Sequence, residues 1–442
     1  MANVHHWLAA KYVFPRKVYV EIYSLYESIG RGSANLSAAF AGEKPDNTSL
    51  VAEVKSGTEP SLAWFGELKQ QILTLPEFQA QEARIREAQY LAKGADRAIY
   101  NPELGLSYLN APEDDTYSLS ISQTIDWGDK RAAASALALT ELMRLESDIT
   151  LERSRLYAEV LQALVDQSLA QKKLMFVRAQ QNYGEQQLQI ARQRAEVGDL
   201  SQAELNLMEL EQASAISDLA LAQKAQLDAD TRILARFGRA ELPFGSFAGR
   251  LELPATEAPV PALTSAGLQL ELARLQVNQA KAKAAADPNF SLNAEREGSD
   301  NKLGIGVSVP LHLRNDYSES IKAAMEAVTA AKAQYQSIEM ALKQQQQQFN
   351  YSLPRLKQSW LDWQQQALVA GRKAAELLGQ RWRSGDLSTS DYLTSRRQLA
   401  SSFQAGLELE AALYQSWLEW MGASGQLPGA LPEIAVSQEN AQ

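Results

Sequence analysis

The stretch Asn101-Pro102-Glu103-Leu104-Gly105-Leu106-Ser107 resembles Asp287-Pro288-Asn289-Phe290-Ser291-Leu292-Asn293, 186 positions further on. The same offset carries Leu119, Ile121 and Ser122 onto Ile305, Val307 and Ser308. A second match lies at an offset of 187, where Gly198-Asp199-Leu200-Ser201 recurs unchanged as Gly385-Asp386-Leu387-Ser388. Arg194 then falls on Arg381, and Glu204 on Asp391. Self-similarity at a fixed spacing marks a structural unit used more than once. The fold must therefore be built from two copies of one unit.

The layout follows from that repeat. Residues 1–61 form an N-terminal segment with an atypical leader, and 62–238 the first copy, with strands at about 102–125 and helices over 130–238. A connector over 239–262 holds Pro243, Pro254, Pro259 and Pro261 and reads as extended chain. The second copy spans 263–424, with strands at about 288–311 and helices over 315–422, and a tail covers 425–442. Within each copy a helix precedes the strands. It covers 62–98 in the first, with Pro76 suited to a first helical turn, and roughly 263–286 in the second. Asn101-Pro102 and Asp287-Pro288 stop these helices, because the residue before proline is pushed out of the α region.

The strands alternate between apolar and small polar residues. Leu104, Leu106 and Tyr108 share a face, as do Tyr117, Leu119 and Ile121. In the second copy Phe290, Leu292 and Ala294 do so, and then Leu303, Ile305, Val307 and Val309. Their neighbours are mostly Gly, Ser or Asn. Period two with one apolar face is the pattern of a half-buried antiparallel sheet.

Long helices follow the strands. From Lys130 to Val197 there is no proline, and Gly184 is the sole glycine. At 1.5 Å per residue that is roughly 100 Å of helix. Ala138, Leu142, Leu145, Ile149, Arg153, Leu156, Val160, Ala163, Gln167, Ala170, Leu174 and Val177 keep a 3-4 spacing, the seam of a coiled coil. The matching helix of the second copy contains Pro354, which should kink or repack it, and a Gln344–Gln348 run that reads as a solvated face. Each long helix ends at a Gly-Asp-Leu-Ser turn. Glycine there suits the left-handed position that closes a helix. Ser201 with Glu204, and Ser388 with Asp391, match the capping pattern that opens the next one. Each copy thus ends in a tight helical tip.

Composition excludes several classes. With 43 Lys+Arg against 53 Asp+Glu the net charge is −10, unlike a nucleic-acid binder. The chain has no cysteine, so disulfides, thiolate metal sites and lipidated cysteine are excluded. No apolar run reaches the roughly 18 residues of a membrane-spanning helix. Of the three histidines, His5 and His6 sit in the leader. His312 follows a strand and reads as an interfacial polar residue, not a metal ligand. No phosphate loop and no catalytic constellation is present, so no enzyme, catalytic residue, metal site or cofactor is expected.

Four strands with an apolar face are the difficulty. Their length approaches that of tilted membrane strands. A bilayer tolerates strands only in a closed barrel, and such barrels begin at eight strands. Several chains would have to pool strands, and three chains give twelve. Tyr108, Tyr117 and Trp127 would then suit an interfacial aromatic belt. A soluble sheet packed on helices fits the spacing equally well. What favours the bilayer is that both hairpins lie at the same end of very long helices.

Taken together, these features resemble the TolC family of outer-membrane efflux proteins, over about 62–425. The residues that carry the resemblance are the paired strand starts, Ser122-Gln123-Thr124-Ile125, and the tips: Arg194, Gly198, Ser201 and Glu204, then Arg381, Gly385, Ser388 and Asp391. The resemblance implies a mainly α fold with a small β part, a homotrimer with an α-barrel, and a shared 12-stranded barrel in outer-membrane lipid. It also implies a passive efflux duct working with a periplasmic adaptor (membrane fusion) protein and an inner-membrane transporter of the RND type. The tips would be the gate and the adaptor-docking end. Asn101-Pro102-Glu103-Leu104 and Trp127-Gly128-Asp129-Lys130-Arg131 are similar to the heavy-metal cation branch. On a threefold axis Asp199, Asp386, Glu204 and Asp391 would form acidic rings, which favour cations. Arg194 and Arg381 would pair with tip acids or meet the adaptor. The competing reading is a soluble periplasmic coiled-coil adaptor or interaction protein.

Export also requires a leader. Residues 1–36 lack an apolar core, since Glu21 and Glu27 interrupt it, yet Ala39-x-Ala41 before Gly42 resembles a cleavage site. The expectation is that residues 1 to about 35 are not the natural leader and that the mature chain starts near Gly42.

Overall fold

The structure, a computed structural model, describes residues 63–254 and 258–430. The leader, its cleavage site, His5, His6 and the last part of the tail lie outside the described residues. The elements below belong to one compact unit, Leu62–Leu253 with the chain from Pro261 onward.

Helix α1 (Ala63–Leu73) ends at Thr74, whose hydroxyl donates to the Gln71 carbonyl (2.7 Å). Helix α2 (Pro76–Ala95) starts on Pro76, where a missing N–H costs nothing. Strands β1 (Glu103–Leu109) and β2 (Thr116–Thr124) form the first hairpin. Helix α3 (Lys130–Glu196) runs unbroken for 67 residues, then α4 (Gln202–Phe237) returns. The second copy repeats this order with α5 (Pro261–Ala284), β3 (Asn289–Glu297), β4 (Asp300–Ser308), α6 (Ser318–Arg383) and α7 (Thr389–Ser424). A last turn, α8 (Leu427–Ala430), closes the described chain.

The four strands make one antiparallel sheet in the order β1-β2-β3-β4, so β2 against β3 joins the two copies. The register puts Leu104, Ile121, Leu292 and Ile305 in one row, and Leu106, Leu119, Ala294 and Leu303 in the next. Phe290 pairs with Val307 on the same face. The other face carries rows such as Gly105, Ser120, Asn293 and Gly304. Val309 lies one residue past the end of β4.

The main core sits midway along the helices and is rich in aromatics. Phe78 and Tyr157 meet edge to face, Phe349 stacks on Trp420, and Leu161, Leu164 and Leu413 are fully buried. Ile149, Leu156, Val160 and Val177 of the expected seam are buried. The burial is wider than a two-helix seam, because α3 packs against α2, α4, α5 and α7. The two polar seam positions mark contacts of their own. Arg153 pairs with Glu82 and lies over the Phe78 ring, while Gln167 donates to Asp230 and to the Ala240 carbonyl.

The structure adds detail to two expectations. Helix α6 continues through Pro354 without interruption. Interior proline costs about 3 kcal/mol, but Phe349 and Leu353 beside it are buried in the core and hold the helix there. The described part of the proline-rich connector is irregular, and it packs against the core. Phe247, Ala248 and Leu251 are buried, the Phe247 N–H donates to the Tyr414 hydroxyl (2.9 Å), and Lys357 and Trp417 donate to the Leu251 and Glu252 carbonyls. The Gln344–Gln348 run does lie largely exposed on α6.

Candidate functional site

The sheet and the helical tips occupy opposite ends of the long helices. On the sheet, the apolar face is open. Leu106 and Leu303 are each 77% exposed and Ile305 88%. Tyr108, Tyr117, Leu104, Leu119, Ile121, Phe290, Leu292 and Val307 are exposed on it too, as is Val309 beyond β4. The Tyr108 and Tyr117 rings lie 5.1 Å apart at the hairpin end, and exposed Trp127 lies at the helix end. Strands β1 and β4 are edges, with no partner on their outer sides among the described residues.

The foot of the sheet is tied by a buried acid. Asp287 is only 6% exposed. It accepts from Lys130 Nζ (2.6 Å), the Tyr100 hydroxyl (2.6 Å) and the Trp127 N–H (3.1 Å). Burial opposes its ionisation, but these donors win, so its carboxyl lies below the usual carboxylate range. The Asp287 carboxylate, helped by burial, pushes the Tyr100 hydroxyl up to about 12. His312 lies at the same level, with Nδ1 3.0 Å from the Ala284 carbonyl oxygen.

At the far end the two tips share one backbone design. Gly198 and Gly385 have φ of 79° and 83°, a region in which side-chain-bearing residues are strained. The Asp199 N–H donates to the Arg194 carbonyl (2.8 Å), and the Asp386 N–H to the Arg381 carbonyl (2.9 Å). Ser201 caps α4 by accepting from the Glu204 N–H, while the Glu204 carboxylate takes the Ser201 N–H (3.1 Å). Ser388 accepts from the Asp391 N–H (3.1 Å) and donates its hydroxyl to that carboxylate (2.8 Å).

Side-chain partners then differ. Arg194 pairs with Asp199 (2.7 Å), donates to the Trp382 carbonyl of the other tip (2.9 Å), and lies 5.5 Å over the Trp382 ring. Its counterpart Arg381 is exposed and reaches only the Asp386 carbonyl, at 3.5 Å. Asp386 accepts from the Ser384 hydroxyl (2.7 Å) and forms no ion pair among the described residues. Hydrogen bonds from Ser201 first, and from Thr389 at the start of α7, hold the Glu204 carboxyl below its ordinary value. The tips of one chain are thus fastened to each other in both directions.

Sequence reasoning missed the residues that receive these contacts. Trp382 is fully buried, stacks on Tyr392 at 5.1 Å and donates through Nε1 to the Thr389 hydroxyl (3.2 Å). Arg396 lies 5.1 Å over Tyr183 and 5.8 Å over Tyr392. Burial pushes the Tyr392 hydroxyl up. A signal existed. At the same offset the first copy has Ala195 and Leu205 where the second has Trp382 and Tyr392.

The described chain thus carries an open apolar sheet at one end of paired, duplicated long helices and tight tips at the other. The model of the outer membrane efflux protein family matches residues 255–426, which cover the second copy of the repeat. Among solved structures the fold is similar to the outer-membrane channel OprN, with a TM-score of 0.66, 16% identity, and coverage of 84% of this chain and 91% of that one. It is also similar to CusC, at a TM-score of 0.64, 15% identity, and coverage of 88% and 98%. The outer membrane protein VceC of Vibrio cholerae gives 0.63, 18%, and coverage of 83% and 95%. These likenesses concern the fold alone. No curated protein matches the sequence.

Proposed function

We propose that the chain is a passive exit duct of a tripartite efflux system and that three copies build it. The observation that carries this is the sheet, whose apolar face is uncovered and whose two edges are unpaired among the described residues. Backbone groups in hydrocarbon must all be paired, so such a sheet belongs in lipid only if β4 of one copy pairs with β1 of the next. Three copies close a twelve-stranded cylinder. The eleven residues from Tyr117 to Trp127 span about 25 Å when tilted, the height of a barrel's apolar band. The Gly/Ser/Asn face then lines water.

The tips point toward the periplasm and dock an adaptor, behind which stands an inner-membrane transporter of the RND type. The cargo is heavy-metal cations. Supporting this are the strand-start and Trp127–Arg131 similarities and the four tip acids. Asp386, with no cation on its carboxylate, is the stronger ring former, because Asp199 is already neutralised by Arg194. Planar-bilayer conductance tests the proposal. The purified protein should conduct, and Asp386→Ala should lower cation selectivity more than Asp199→Ala. Conductance with selectivity unchanged in both variants removes the cation rings, and a water-soluble monomer without conductance removes the duct.

A further inference from the structure

We infer that the foot of the sheet is a binding surface for the phosphate headgroups of anionic phospholipid in the periplasm-facing leaflet. The inference rests on the proposed placement of the sheet in the bilayer.

Apolar exposure does not stop where the ladder stops. Beyond β2 and β4, Ile125, Trp127, Leu311 and Leu313 remain open, with Leu313 86% exposed. Beside them stand Arg97, Arg131 and Arg314, all exposed, and none forms an ion pair among the described residues. Most acids at this level are engaged. Asp126 accepts the N–H groups of Lys130 and Arg131 (2.8 Å each), Asp316 accepts the Ser318 N–H (3.0 Å), and Asp287 is held by Lys130. Asp129 stays exposed. The foot is knit into one level, since Gly128 sits against Ala282 and Ala285 and His312 against Ala284.

The hairpin end, by contrast, is dominated by acids. Glu113, Asp114, Asp115 and Asp300 gather there, and Lys302 is already tied to Glu297 and Glu295. A guanidinium fork matches phosphate oxygens in pairs. Basic residues at a membrane surface are drawn to anionic headgroups within a Debye length. Apolar side chains flanked by unpaired arginines therefore fit the boundary between acyl chains and phosphates. The three arginines come from the α2–β1 link, α3 and the β4–α6 link, so a trimer would present nine.

The test is thermal unfolding of the detergent-solubilised protein with added phosphatidylglycerol or phosphatidylcholine. Phosphatidylglycerol should raise the midpoint of the wild-type protein by several degrees more than phosphatidylcholine does. The variant R97Q/R131Q/R314Q should lose that difference. A control, R192Q/K224Q/R232Q, removes three cations from the long helices and should keep it. An equal response of the wild type to both lipids would overturn the inference. So would a retained preference in the first variant, an equal loss in the control, or the same shift with inorganic phosphate. Conductance separates this from the duct proposal, since a conducting protein indifferent to headgroup charge loses only the lipid site.

Discussion

Gly198 and Gly385 turn the chain with nearly the same φ, and Ser201 and Ser388 restart the helix with the same cap. Around these turns the two tips part ways. The first sends Arg194 and Glu204 outward to its neighbour, while the second receives them on the Trp382 carbonyl and on Thr389. Arg381 and Asp386 remain turned to solvent. Duplication therefore kept the turn, whose chemistry is local, and let the contacts diverge. One tip became the arm and the other the socket, which leaves the second with the free acid and the free arginine.

The comparison breaks most visibly at Trp382. Trp382→Ala removes a fully buried ring, a change that typically costs about 3–5 kcal/mol. Leu205→Ala, on the half-buried counterpart of Tyr392, should cost clearly less. Limited proteolysis at the 384–388 turn should speed up strongly for the first variant only. Equal sensitivity would mean that the tips are interchangeable.

A smaller effect separates the arginines. Arg194→Ala loses an ion pair and a charge-assisted bond to a carbonyl, about 1–3 kcal/mol. Arg381→Ala should stay within about 0.5 kcal/mol, as for other surface changes. Amide exchange in the α6–α7 turn should rise in the first variant and stay flat in the second. A larger rise for Arg381→Ala would reverse arm and socket.

The smallest effect is on pH. The folded carboxyl of Glu204 is depressed, so its contribution is present above the unfolded value of about 4.3 and is lost as pH falls through the lower folded value. Exchange at Ser201–Leu205 and at Thr389 should therefore increase on acidification below about pH 4. Glu204→Gln should flatten that dependence. A variant that keeps the full acid response would place the titrating group elsewhere.

Much of this architecture was readable beforehand. Alternation in Leu104–Tyr108 and Tyr117–Ile121 defined the strands, because period two is a local property of extended chain. The glycine and serine of each tip announced the turn for the same reason. Trp127–Arg131 and Asp287-Pro288 showed where elements begin, but not that Lys130 and Asp287, 157 positions apart, share a buried ion pair. The packing of the connector was not legible. Its prolines forbid regular structure, and nothing in their spacing reveals that Phe247 and Leu251 fill a core built by α1, α3, α6 and α7.

The sequence alone determined what a few neighbouring residues can settle: helix length, strand face, cap and turn. It also determined, through the repeat, that these come twice. Only the tertiary structure decided which of two equivalent arginines crosses to the other tip, which acid is buried, and that the apolar face of the sheet has no cover among the described residues. Those outcomes depend on groups nearly two hundred residues apart, and their meeting is set by how the long helices pack.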